Sequence, residues 1–180
     1  MRALIPVTIL FVAAFSFAVA DAEVIDSSEN GFTVKNDAVI AASPDKVYQA
    51  LLHVGNWWDS EHTYSGDAHN MSIDARPGGC FCERLPNGGG IQHMAVLFVA
   101  PGKAVRMSGG LGPLQPLGVA GSLEWKMTAA DGGTRLELRY MVGGYASGGL
   151  RELAAPVDGV LRAQMLRLRS FVETGRASAK

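Results

Sequence analysis

Apolar residues recur along this chain with two different periods, and the change of period divides it. Over residues 147–174, Leu150, Leu153, Ala154, Val157, Leu161, Leu168 and Val172 return at steps that put them on one face of a helix. Arg151, Asp158, Arg162, Arg169 and Glu173 fall on the opposite face, and Gln164 interrupts the apolar arc near its middle. Pro156 removes one backbone donor and is expected to kink the first third of this helix, which Gly175 should end. Upstream the period is two. Val119, Leu123, Trp125 and Met127 alternate with Ser122, Glu124, Lys126 and Thr128. Leu136, Leu138, Tyr140 and Val142 alternate with Arg135, Glu137 and Arg139. With Asp131-Gly132-Gly133 between them, these two runs predict an antiparallel pair with one buried and one wet face.

Five further runs read as strands: residues 32–42, 70–74, 80–85, 91–100 and 103–108. Pro86-Asn87-Gly88-Gly89-Gly90 supplies turn chemistry between the third and fourth of these. Ser43-Pro44-Asp45 announces a short helix, with Ser as the cap, Pro at the first helical position and Asp at the positive end of the dipole. Val47, Ala50, Leu51 and Val54 form its apolar face, and Gly55 is expected to end it. Asn56-Trp57-Trp58-Asp59 follows directly, where the two indoles either plug the core or line a pocket. The segment from Gly109 to Gly118 has a loop's glycines and prolines but carries Leu111, Leu114 and Leu117, so it is expected to fold over something apolar.

Composition changes this picture little. Hydrophobic residues at 48% and charged residues at 18% suit a single packed domain. A net charge of -1 offers no electrostatic footprint for nucleic acid, so none is expected as a partner. Residues 1–20 read as a cleaved signal peptide: Arg2, then an uncharged apolar run, then Ala18-Val19-Ala20. A periplasmic or secreted location is the corresponding expectation. Residues 21–31 read as a polar leader, residues 32–174 as the domain, and residues 175–180 as a tail.

The order strand, short helix, six strands, long helix resembles the START/Bet v 1-like (SRPBCC) superfamily, the helix-grip fold. The resemblance rests on Ala42 to Leu51, on Trp57, on Pro77-Gly78-Gly79, on Val99-Ala100-Pro101 and on the closing helix. It looks most like the branch similar to the activator-of-Hsp90-ATPase C-terminal domain and the polyketide cyclases. The resemblance implies an α+β fold in which a curved antiparallel sheet of about seven strands wraps on the C-terminal helix, with a cavity between them. Family members bind lipids, sterols or polyketides there, some catalyse cyclisation or dehydration, and some act as co-chaperones. The signal segment argues against a cytosolic Hsp90 partner. The fold by itself does not choose among these functions.

Cys80 and Cys82 share one face if their strand is regular, with Cβ atoms too far apart for a disulfide, so they are expected not to pair with each other. If the hairpin loop is residues 86–89, Cys82 faces His93 across the hairpin. That placement leaves a packed cluster, a catalytic pair and half of a metal site as readings, and a one-residue slip removes it. No metal or cofactor is expected. Glu83 lies on the other strand face from Cys82. The first functional reading is an exported binding protein for a small hydrophobic, lipid-like or polyketide-like molecule. Its cavity would be lined by Trp57, Trp58, His93, Leu97, Trp125, Tyr140, Val157, Leu161, Gln164 and Leu168. His93, Tyr140 and Gln164 would orient the ligand, and the leucine-bearing loop would be its lid. The alternatives are a cyclase- or dehydratase-type enzyme using His93 with Tyr140 or Glu83, and a chaperone-like docking module with an exposed apolar patch.

Overall fold

A computed structural model describes residues 21–178. The signal segment expected over residues 1–20 lies outside the described residues.

Among the described residues, eight antiparallel strands form one sheet: β1 (Asp21–Ser28), β2 (Gly31–Ile40), β3 (Met71–Ile73), β4 (Cys80–Arg84), β5 (Gly90–Ala100), β6 (Ala104–Ser108), β7 (Gly118–Ala130) and β8 (Gly133–Tyr145). Their spatial order is β1-β2-β8-β7-β6-β5-β4-β3. The fold is the expected α+β helix-grip arrangement. Seven strands match the runs read from the sequence. The eighth, β1, lies where a polar leader was expected. Polar side chains are tolerated there because β1 is the edge strand, paired only with β2.

Helix α1 (Pro44–Leu52) starts as its sequence dictates, with the Ser43 hydroxyl accepting from the Lys46 N–H. It stops before Gly55, and the chain continues through a single 3-10 turn, Val54–Asn56. Helix α2 (Ala154–Thr174) begins later than residue 147, after a 3-10 turn at Arg151–Leu153. Pro156 therefore sits in the first helical turn, where its missing N–H would have had no intrahelical partner, so the expected cause of a kink is gone. Gly175 takes the left-handed conformation (φ 77°) and donates its N–H to the Phe171 carbonyl, ending α2 as expected.

The core lies between the sheet's inner face and α2. Val34 and Ile40 on β2, Leu123 and Trp125 on β7, and Leu136, Leu138 and Tyr140 on β8 are buried there against Leu161, Met165, Leu168 and Val172. One flank of α2 is stitched to β2 by polar contacts: Asn36 donates to Asp158 (2.9 Å), and Glu173 accepts the Ala41 N–H (3.0 Å).

The β4–β5 hairpin departs from regular pairing. Phe81 faces Met94, but Cys82 faces Gln92, so His93 is an extra residue on β5. A second bulge makes Leu97 extra between Val96 and Phe98. Burial along β5 records both: His93 and Met94 are consecutive buried residues, and Leu97 and Phe98 are consecutive exposed ones. The expected Cys82–His93 facing pair is therefore not formed. Cys80 and Cys82 instead form a disulfide with each other. The reason is local geometry. Two residues of regular strand span roughly 6.6 Å, whereas their Cα atoms are 5.4 Å apart on β4, opposite the bulge of β5. That shortening brings the sulfurs within bonding reach. Both sulfurs are thus unavailable as thiolate ligands or nucleophiles.

Candidate functional site

A cavity of about 460 Å³ opens between the first half of α2, the loop over residues 109–118, and the segment from Trp58 to Tyr64. Helix α2 contributes Pro156, Val157, Val160 and Leu161, with Leu153 just before it. The loop contributes Leu111, Leu114 and Leu117, the three apolar residues that set it apart in the sequence. Met71 and His93 come from the sheet, while Glu61, His62, Thr63 and Tyr64 supply a polar sector. No lysine or arginine is among the lining residues.

Three side chains fasten the leucine-bearing loop. Tyr140 donates its hydroxyl proton to the Gly109 carbonyl (2.8 Å) and accepts the Leu111 N–H (3.0 Å). Gln115 donates to the Gln92 carbonyl (2.8 Å). Tyr64 donates to the Gly112 carbonyl (3.0 Å), tying the loop to the opposite lip of the cavity. Gly121 makes room for the first of these, since a Cβ there would lie 2.6 Å from the Tyr140 ring. Burial pushes the Tyr140 phenol up to about 12, against a smaller opposing effect from the Leu111 N–H, so the hydroxyl stays protonated as a donor.

The buried polar centre is Glu83 with His93. Glu83 shares the inner face of β4 with Phe81, and the bulge turns His93 to the same side. The Glu83 Oε2 lies 3.0 Å from His93 Nε2 and also accepts the Tyr64 N–H (3.1 Å). Its Oε1 accepts the Ser65 N–H. The two side chains are 0% and 3% exposed. Desolvation is the largest influence on Glu83 and would raise its pKa. The hydrogen bonds from Ser65, Tyr64 and His93 together outweigh it and hold the carboxyl below its ordinary value. For His93, burial dominates and lowers the pKa, with Glu83 pulling the other way. The pair is thus a carboxylate and a neutral imidazole whose Nε2–H points at Glu83. His93 Nδ1 is buried and has no hydrogen-bond partner among the described residues.

Of the ten residues expected to line a cavity, Trp58, His93, Val157 and Leu161 do so. Trp57 and Trp125 border only a minor crevice deeper in the core, where their rings meet edge to face at 6.1 Å. Tyr140 and Leu168 are buried core residues outside the cavity wall. Leu97 is 55% exposed on the outer surface, because the bulge at His93 reverses the inside-outside phase that follows it. Gln164 is fully buried but faces neighbouring chain rather than the cavity. Its Oε1 accepts the Asp59 N–H (2.9 Å), which leaves its Nε2 to donate to His62 Nδ1 (3.4 Å). One turn on, Arg167 donates to the Trp57 carbonyl (2.9 Å). Together they staple the Trp57–His62 segment, one wall of the cavity, to α2.

The sequence reading paired Glu83 with His93 only in its enzyme alternative, and it placed neither Tyr64, Met71, Pro156 nor Val160 at the cavity, nor Arg167 behind its wall. For Glu83 a signal existed, since it alternates with Phe81 on a strand whose inner face must be buried. Arg167 lies three residues after Gln164, on the same helix face.

No family model matches the sequence, and no curated protein matches it. Solved structures match it by fold. A conserved protein of unknown function from Enterococcus faecalis aligns over 89% of this chain and 80% of its own, at 14% identity and a TM-score of 0.59. An uncharacterized protein from Rhizobium leguminosarum aligns over 86% of this chain and 98% of its own, at 19% identity and a TM-score of 0.54. The Aha1 dimer from Colwellia psychrerythraea aligns over 79% and 97%, at 20% identity and a TM-score of 0.54. At these identities the likeness concerns the fold, a curved antiparallel sheet closed by a C-terminal helix.

Proposed function

We propose that this chain is an exported binding protein of the START/Bet v 1-like kind, in the branch similar to Aha1, that holds a small hydrophobic molecule between its sheet and α2. The observation that carries the reading is the cavity of about 460 Å³ with its largely apolar wall. Such a volume suits a small organic ligand, and its affinity would come mainly from apolar burial at ~25 cal/mol per Å² before association costs. Leu111, Leu114 and Leu117 turn toward the cavity, which favours a lid over an exposed docking patch. The Cys80–Cys82 disulfide supports export, because disulfides persist in oxidising compartments.

Purified full-length protein tests this directly. Extraction with denaturing solvent followed by small-molecule mass spectrometry should release a hydrophobic compound, or the emptied protein should bind Nile red with saturable affinity. Absence of both contradicts the binding reading. For export, sequencing the N-terminus of protein recovered from the periplasm or medium should show residues 1–20 removed; soluble protein that keeps Met1 contradicts it.

A further inference from the structure

We propose that the cavity selects an uncharged hydrophobic molecule bearing a hydroxyl, an alcohol or a phenol, whose O–H donates to Nδ1 of His93. The inference rests on the binding reading above and specifies its ligand. Three observations carry it. First, the proton on His93 is placed. The Glu83 carboxylate accepts from Tyr64 N–H and Ser65 N–H and lies 3.0 Å from Nε2, so Nε2 is the protonated nitrogen and Nδ1 is an acceptor. Second, Nδ1 is buried without a partner on a residue of the cavity wall. Buried acceptors are costly when unpaired, so a donor from the cavity's occupant completes the site. Third, the wall holds no lysine or arginine to receive a carboxylate or phosphate. Its titratable members are Glu61, His62, Tyr64 and His93, and Glu83 stands behind them. His62 Nδ1 is taken up by the Gln164 amide, from which it accepts (3.4 Å). An anion would meet the Glu61 carboxylate with no lysine or arginine in the wall to offset it, whereas a hydroxyl can donate to the unpartnered Nδ1 of His93.

Matched probes of nearly equal size separate these cases: 4-octylphenol, 4-octylanisole and 4-octylbenzoate, each displacing Nile red from the full-length protein at neutral pH. The phenol is expected to bind about tenfold tighter than the anisole, with the benzoate weakest. In His93→Leu the phenol's advantage over the anisole should disappear. Should that variant fail to fold, ¹⁵N NMR of the unaltered protein gives the same answer. The His93 Nδ1 resonance should move on adding the phenol and stay in place on adding the anisole. Equal affinities for phenol and anisole overturn the inference while leaving a hydrophobic binding protein, and so does tightest binding of the benzoate. If none of the three displaces Nile red and the dye itself does not bind, the binding reading falls and this inference falls with it.

Discussion

The two sides of the sheet are built differently. On one, β2 pairs with β8 through all ten of its residues and β7 with β8 through thirteen, with no shift of register. On the other, β4 with β5 and β5 with β6 keep register for at most three residue pairs before a bulge intervenes. The regular side buries a continuous apolar face against α2, and of its buried side-chain polar atoms Asn36 Oδ1 is the one without a hydrogen-bond partner among the described residues. The bulged side carries the disulfide, the buried Glu83–His93 pair and the sheet's contribution to the cavity. Regular pairing aims every second side chain at the core and fills it. Bulges break that alternation and let a polar side chain such as His93 face inward.

If the bulged side is a built site and not merely a loose margin, its polar centre should be as costly to damage as the regular core. Glu83→Ala is expected to destabilise by about 3–5 kcal/mol in urea unfolding, since it strands two backbone donors and a buried imidazole. Leu136→Ala on the regular side should cost about 2–5 kcal/mol. A loss well under 1 kcal/mol for Glu83→Ala would mean the pair is incidental.

Acid should act through the same centre. The folded-state pKa of His93 lies below its ordinary value of 6.5, so the unfolded chain takes up this proton first. Its contribution to stability is complete above that value and is lost as pH falls below it toward the folded-state pKa. Unfolding midpoints measured from pH 7.5 to 5.5 should decline in the natural protein and decline less in His93→Leu. Equal slopes would contradict a neutral buried imidazole.

Gln164→Leu should cost about 1–3 kcal/mol, by removing the partner of the half-buried Asp59 N–H, with little change in Nile red affinity. A large affinity loss at unchanged stability would return Gln164 to the ligand site. Cys80→Ser with Cys82→Ser should cost less, about 1.5 kcal/mol, because the closed loop is so short. Tyr64→Phe should cost under ~1 kcal/mol, its bond being at the surface, yet speed release of a bound dye by unfastening one of the loop's three ties.

What could be read from the sequence follows the same division. The stripe on α2, the alternation in β7 and β8 and the Ser43-Pro44-Asp45 start are local periodicities, and each reappears in the structure. So did the inward turn of Leu111, Leu114 and Leu117. The bulged side depends on pairing between distant segments. One extra residue on β5 separated Cys82 from His93, turned Leu97 outward and brought His93 to Glu83. A hint of this was present, since no regular alternation runs through His93-Met94 and Leu97-Phe98. Gln164 stood out in the sequence, but its partner Asp59 lies 105 residues away and no spacing rule connects them.

The central claim is that a ligand enters between α2 and the lid loop on the bulged side. Methyl NMR during titration with 4-octylphenol tests it most directly. Shifts should concentrate at Leu111, Leu117, Val157, Val160 and Leu161, while Val34, Leu136 and Val172 on the regular side stay fixed. Shifts centred on the exposed Leu97 instead, or spread evenly through both sides, would contradict it.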